Sequence, residues 1–299
     1  MSDTPDISKN ESPSNPEPPR LDPLADTILA ARNDLRLKPN INLACSQFTS
    51  VGQKRKQNQD SLLTMQTVKV NLSDSAPLGL YVVADGMGGQ ASGEVASGIV
   101  VSTLAQYAHS ALFSRFLGGN LSDRDVTNWL RTSIEAANVA VLEGRTDRAN
   151  DMGSTVVAIV VKGNMAHIAH VGDSRAYRLD ADGQLERLTM DHSLVEQLVQ
   201  AKQITPEEAR THRRRNVVYR TVGDKESVEI DVTSIEVNPG DKLVLCSDGL
   251  NSMIPDSRIT AVVRESPSLS EAARNLADAA NVAGGDDNIT VVLVEIASL

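Results

Sequence analysis

From about Asn40 onward, short unbroken apolar runs alternate with longer stretches in which apolar residues recur every three or four positions. The runs predict strands covered on both faces, and the spaced stretches predict helices lying on one face. Leu80–Ala84 (LYVVA) is the first run, and it ends at Asp85-Gly86. Thr155–Val161 is the second; Lys162-Gly163-Asn164 then turns the chain into Met165–Val171 as a hairpin. Leu243–Cys246 and Ile289–Val294 predict two more buried strands. Helices are expected over Ala91–Tyr107 (through Val95, Ile99 and Leu104), after Ser122, and over Glu271–Asn281. In the second helix Val126, Leu130, Ala137 and Val141 share a face, and Asp125 stands three residues past a Ser122 N-cap. Hairpins rather than βαβ crossovers join several strands. That favours antiparallel sheets covered by helices, in one domain over 40–299.

Residues 1–39 read differently. Pro5, Pro13, Pro16, Pro18, Pro19 and Pro23 stand amid Ser, Asp, Glu and Asn, which predicts a disordered tail. Leu24, Ile28, Ala31 and Leu35 have the spacing of a short helix over Leu24–Leu37. The opening MSDTPDISKNE has no apolar stretch of the secretory kind, so no signal is expected. The longest apolar run, Val156–Val161, is far short of the roughly 20 residues of a bilayer span. Composition narrows the partners further. The chain has 29 Lys+Arg against 39 Asp+Glu, a formal net charge of −10, which argues against a general nucleic-acid or anionic-membrane binder. With Cys45 and Cys246 as its two cysteines, it has no disulfide framework, and a reducing cytoplasm is the expected compartment. Aromatics are 3% of the chain, so the core must be aliphatic.

The candidate chemistry lies in where the aspartates fall. Three strands run into Asp-containing turns: YVVADGMGG at Asp85, HVGDSRAY at Asp173 and LVLCSDGL at Asp248. A fourth strand starts directly after GGDDN, with Asp286, Asp287 and Asn288, and Asp60 sits in RKQNQDS. Taken singly, an Asp-Gly pair is ordinary turn chemistry. Taken together at one edge of a layered sheet, these carboxylates would repel one another unless cations lay between them. Hard oxygen donors without thiolate or imidazole point to Mg²⁺ or Mn²⁺ rather than Zn²⁺.

The segments RKQNQDS, VVADGMGGQASGE, HVGDSRAY, LCSDGL and GGDDNIT, in this order, resemble the metal-dependent protein phosphatases of the protein phosphatase 2C family, the bacterial serine/threonine branch above all. The resemblance spans about residues 45–296. It implies an α+β fold, a four-layer αββα sandwich of two antiparallel sheets flanked by helices. It also implies two or three Mn²⁺ or Mg²⁺ ions per chain. Asp85 would bridge two ions and the Gly86 carbonyl would bind one of them. Asp248 and Asp287 would complete the first ion's shell, Asp60 would hold ion-bound water, and Asp173 with Asp248 would form a third site. Arg55 matches the phosphate-binding arginine, whose guanidinium suits bidentate recognition. The implied reaction is hydrolysis of phosphoserine and phosphothreonine in proteins, by direct attack of a water bridging two ions. The implied partners are phosphorylated proteins, a serine/threonine protein kinase among them, acted on by a cytoplasmic monomer that binds neither nucleic acid nor membrane.

Two departures stand out. Gln59 occupies a place where the family usually has Glu, and Met87 and Gln90 stand where many relatives carry a histidine thought to protonate the leaving group. They leave open an alternative, a catalytically weak relative that binds phosphoproteins as a regulatory module. The retained acidic cluster argues against it. Segment 191–224 resembles the flap beside the active site of bacterial members and carries Arg210, Arg213, Arg214, Arg215 and Arg220. That island reads equally as an attractor of phosphorylated segments or as a solvated basic helix end. His167 and His170 face opposite ways on their strand and read as packed residues, while His109 is expected to be solvated.

Overall fold

The computed structural model describes residues 41–71, 74–88, 92–145 and 152–298. The tail and the Leu24–Leu37 helix expected from the sequence lie outside the described residues, as does Gln90. One compact unit spans Lys38–Leu299. Among the described residues no helix is long and apolar enough to cross a membrane.

Two antiparallel sheets account for the buried strands. One runs β1 (Ile41–Ser50), β11 (Ile289–Ser298), β10 (Lys242–Cys246), β7 (Arg175–Leu179), β8 (Leu185–Arg187). The other runs β2 (Asp60–Asn71), β3 (Asp74–Met87), β5 (Val156–Lys162), β6 (Met165–Val171), β9 (Asp231–Glu236), with the short β4 (Gly153–Ser154) paired to the end of β3. Successive side chains on a strand point to opposite faces, so an unbroken apolar strand feeds two cores at once. On β5, Val157, Ile159 and Val161 enter the core between the sheets, together with Tyr81 and Val83 of β3 and Leu243, Leu245, Val292 and Val294 of β10 and β11. Val156, Ala158 and Val160 instead meet α1 (Ser92–Tyr107) and α2 (Asp123–Glu143). Across the molecule, Val244, Val291 and Leu293 pack on α6 (Asp256–Glu265) and α7 (Leu269–Val282). The result is helix, sheet, sheet, helix, the four-layer sandwich.

The capping box at the start of α2 is present: Ser122 Oγ accepts from the Asp125 amide at 3.2 Å, and Asp125 Oδ2 accepts from the Ser122 amide at 2.9 Å. Of the residues expected to mark α1, Leu104 is buried and Ile99 is packed partly buried against the same core, but Val95 is 48% exposed, and Ala96 and Val100 complete the face against β3. The helix then continues through a π-helical stretch, Ala108–Phe113, that leaves His109 exposed.

The segment expected to be a flap contains two short helices, α3 (Leu194–Gln200) and α4 (Pro206–Thr211). Its ends meet at a Ser193–Val218 bridge, backed by hydrogen bonds from Leu194 N to Val217 O and from Tyr219 N to His192 O, each 2.9 Å.

Candidate metal and phosphate site

Strand register brings the acids to one edge. β2 and β3 pair so that Asp60 stands directly opposite Asp85. β10 and β11 pair with Cys246 opposite Val291, so Asp248, opening the short helix α5 (Asp248–Asn251), and Asp287, just before β11, leave the sheet at the same end. β6 delivers Asp173 through Gly172, whose φ of +107° is a conformation that side chains other than glycine's rarely allow.

Neighbouring polar groups fix these turns. Asp85 N donates to Thr155 Oγ1 at 2.9 Å, and Thr155 N donates to Asp85 O at 2.8 Å. Asn288 uses its whole amide: Oδ1 accepts from Gln59 N at 2.8 Å, and Nδ2 donates to Val51 O and Gln57 O, both at 2.9 Å. The Gly86 amide donates to Gln59 O at 3.0 Å, and a side chain at Gly86 would overlap the Gly93 carbonyl oxygen at the start of α1. Only a glycine permits that approach. Gln59 therefore acts in the site through its backbone, with its amide side chain close beside Gly93.

Electrostatically the edge is unfinished. Burial pushes the Asp60 carboxyl up to about 7, with the Asp248 and Asp287 charges adding to it, while hydrogen bonds from Thr290 and Ser247 work the other way. Burial likewise pushes Asp248 up to about 6, and raises Asp85 and Asp173 well above the usual carboxylate range, in each case reinforced by neighbouring carboxylates. Asp60 Oδ2 accepts from Ser247 Oγ at 2.7 Å, but Asp60 Oδ1 and Asp248 Oδ1 are buried without a hydrogen-bond partner. Buried polar oxygens are seldom left so, because an unmade bond forfeits their hydration. Clustered hard oxygens with orphaned lone pairs fit a divalent cation of the Mg²⁺ or Mn²⁺ kind.

A second cluster makes an instructive contrast. His170, His192 and Asp231 bring their ligand atoms within 4.8 Å of one another. There, however, Arg220 donates to Asp231 Oδ1 at 2.8 Å and meets His192 Nε2 at 2.9 Å, and His170 Nε2 donates to Met190 O at 2.8 Å. The arginine already supplies the cation.

Arg55 reaches the same edge and donates from Nη2 to Asp287 Oδ2 at 2.5 Å. Next to it, Asp286 takes Lys54 Nζ on Oδ1 at 2.5 Å and Arg215 Nη2 on Oδ2 at 3.0 Å, joining the Arg55 loop, the Asp287 loop and the flap. Of the five flap arginines, Arg210 donates to Met253 O at 2.8 Å and Arg220 pairs with Asp231 and Glu229, which leaves Arg213 and Arg214 exposed. All seven residues singled out in the sequence (Arg55, Asp60, Asp85, Gly86, Asp173, Asp248 and Asp287) lie at or beside this edge. The supporting Thr155, Ser247 and Asn288 were not assigned roles. Ser247 and Asn288 flank acids already noted, whereas nothing near Thr155 in the sequence signals its part.

The family model described as Protein phosphatase 2C matches residues 49–286. The serine/threonine phosphatase stp of Listeria welshimeri is 39% identical over 227 residues, covering 74% of this chain and 85% of its own length. Among solved structures, the serine/threonine phosphatase of S. agalactiae superposes with a TM-score of 0.74 at 34% identity, over 85% of this chain and all of that one (100%). The catalytic domain of the serine/threonine protein phosphatase PstP, in complex with two manganese ions, gives 0.70 at 32% identity, over 86% and 99%.

Proposed function

The chain belongs to the protein phosphatase 2C family and is a metal-dependent serine/threonine protein phosphatase, and we propose that Asp60, Asp85, Asp173, Asp248, Asp287 and the Gly86 carbonyl hold its Mn²⁺ or Mg²⁺ ions while Arg55 binds the phosphoryl group. The observation that carries the assignment is the pair of orphaned buried oxygens, Asp60 Oδ1 and Asp248 Oδ1, inside a group of mutually repelling carboxylates. Bound ions supply Lewis acidity and lower the pKa of coordinated water, the chemistry that phosphomonoester hydrolysis needs.

The protein's own groups orient and recognise. Thr155 and the Gly86–Gln59 bond set the Asp85 turn, and Asn288 ties the loop before Asp60 to the loop of Asp287. The Arg55 guanidinium is engaged by Asp287; with that carboxylate otherwise satisfied, its fork is available to two phosphoryl oxygens. Met87, which follows Gly86 on β3, cannot donate a proton, so we assign leaving-group protonation to water.

The substrates are phosphoproteins. We propose that a serine/threonine protein kinase is among them, that catalysis resides in 40–299 with 191–224 as its flap, and that the enzyme works as a cytoplasmic monomer. Cys45 and Cys246 are unpaired, as a reducing compartment would leave them. Sedimentation at working concentration tests the monomer. The regulatory-module alternative is not favoured, because a mere binder gains nothing from this strained acidic edge. The test is turnover of p-nitrophenyl phosphate and of a phosphothreonine peptide with Mn²⁺, Mg²⁺ or excess EDTA. Activity with either ion and none in EDTA is expected. Full activity in EDTA after ion removal would overturn the assignment.

A further inference from the structure

We propose that the cavity beneath the flap is a subsite for a residue flanking the phosphorylated serine or threonine, and that it selects an aliphatic side chain. The proposal rests on the phosphatase reading above. The cavity holds about 470 Å³, within the range of ligand-binding pockets. Asp173 and Asp248 form part of its lining, so it is continuous with the acidic edge where the phosphoryl group is processed. An occupant there is most simply a side chain one or a few residues along the chain that carries the phosphate.

The chemistry of the lining decides what kind of side chain. Charged residues are many, but the arginines among them are already engaged, Arg210 by the Met253 carbonyl and the others by carboxylates. Arg175 binds Asp191 through two prongs, Nε to Oδ1 at 2.8 Å and Nη2 to Oδ2 at 2.6 Å. Arg187 holds Glu196 in the same manner at 3.0 and 2.9 Å, and Arg215 is taken by Asp286 at 3.0 Å. Besides neutral polar side chains such as Ser193, Gln200 and Asn251, an incoming group meets an apolar wall made of Val195 and Val199 of α3, Pro206 and Ala209 of α4, and Pro255. Glu207 and Asp256, both exposed members of the lining, disfavour an acidic side chain by like-charge repulsion.

The cavity is also built in advance. The flap's base is closed by its Ser193–Val218 bridge, and Asp286 clasps Arg215 and Lys54 together. A pocket whose walls are fixed before binding loses little to ordering when it is filled.

The test uses phosphothreonine peptides that differ only by Leu, Gly, Lys or Glu at each flanking position, assayed with Mn²⁺. Two variants fill the cavity from different helices, Val199→Trp and Ala209→Trp, with melting temperature as the check on folding. Wild type should favour Leu over Gly in kcat/KM by about tenfold or more at one or more positions, the scale on which an apolar pocket discriminates. Glu should be the poorest there. Either tryptophan should abolish the preference while p-nitrophenyl phosphate turnover stays within about twofold. No preference for Leu in the wild type overturns the proposal. So does a preference that survives a well-folded filled variant, or an equal loss on peptide and small substrate, which would make the flap a support of the metal edge. A wild type inactive on the small substrate would instead sink the phosphatase assignment itself, a distinguishable failure.

Discussion

At Asp248 one carboxylate oxygen, Oδ1, is buried with no partner, and the group stands among other acids that raise its proton affinity. Without ions such a residue is a liability to the fold; the proposed assignment makes it a ligand. Asp248→Asn separates these roles because the amide keeps the shape and removes the charge. Turnover should fall by at least about a hundredfold, the scale of losing one strong electrostatic contact to a transition state. The melting temperature in EDTA should be unchanged or higher, since one repelling charge is gone. Retained turnover would remove Asp248 from the site. Arg55 poses the opposite case. It is 46% exposed and its ion pair with Asp287 lies at the surface, where such pairs contribute on the order of 0–1 kcal/mol. Arg55→Ala should therefore raise KM or lower kcat/KM for every phosphomonoester while leaving the melting temperature nearly unchanged. A variant that does not fold would make Arg55 a structural residue.

Among the elements, the flap shows how pairing redistributes a charge pattern. Its basic island looks continuous in the sequence, yet Arg215 and Arg220 are engaged by Asp286, Asp231 and Glu229. Arg213 and Arg214 are left to act at long range. Replacing both with Gln should slow phosphoprotein dephosphorylation mainly at low salt, because their field is screened over roughly 8 Å at physiological ionic strength. Small-substrate turnover should hold within about twofold, and a salt-independent loss would refute steering. The elements also differ in how plainly the sequence declares them. β5, β10, β11 and the inner part of β3 are legible because covering both faces demands apolar residues without interruption, while β6, broken by His167 and His170, is legible from the Lys162-Gly163-Asn164 turn before it. β1 and β2 were not singled out: they are edge strands with many half-exposed positions, and their alternation is blurred by Ser, Thr and Gln. The four-layer order came from the resemblance, since periodicity alone cannot say that two sheets stack. The acids of the site were legible because each abuts a turn, whereas Thr155 serves Asp85 only through the fold that brings β5 beside β3.

Across the whole molecule, the sandwich holds several carboxylates at one buried edge, and that arrangement makes stability depend on protons and ions together. Asp60 and Asp248 titrate near about 7 and about 6 when folded, and Asp85 and Asp173 are raised further, against a value of roughly 3.9 in an unfolded chain. A group whose proton is held more tightly in the folded state stabilises it at low pH, and that contribution is lost as pH rises through the folded value. In EDTA these four acids should therefore lower the melting temperature between about pH 5 and pH 8. His192 acts in the opposite sense at the lower end of that range. Burial, with His170 and Arg220 beside it, pushes it down to about 4, so its contribution grows as pH rises toward the ordinary histidine value. The clean observable is thus the difference between melting curves with and without Mn²⁺, in which His192 cancels. Ions and protons compete for the same oxygens, so the gain from Mn²⁺ should be small at pH 5 and largest at pH 8. At about a hundred times the dissociation constant, binding to the folded state alone contributes about 2.7 kcal/mol, or roughly 5–10 °C for a domain of this size. A gain that is flat across this range, or largest at pH 5, would mean that the ions do not sit among these carboxylates.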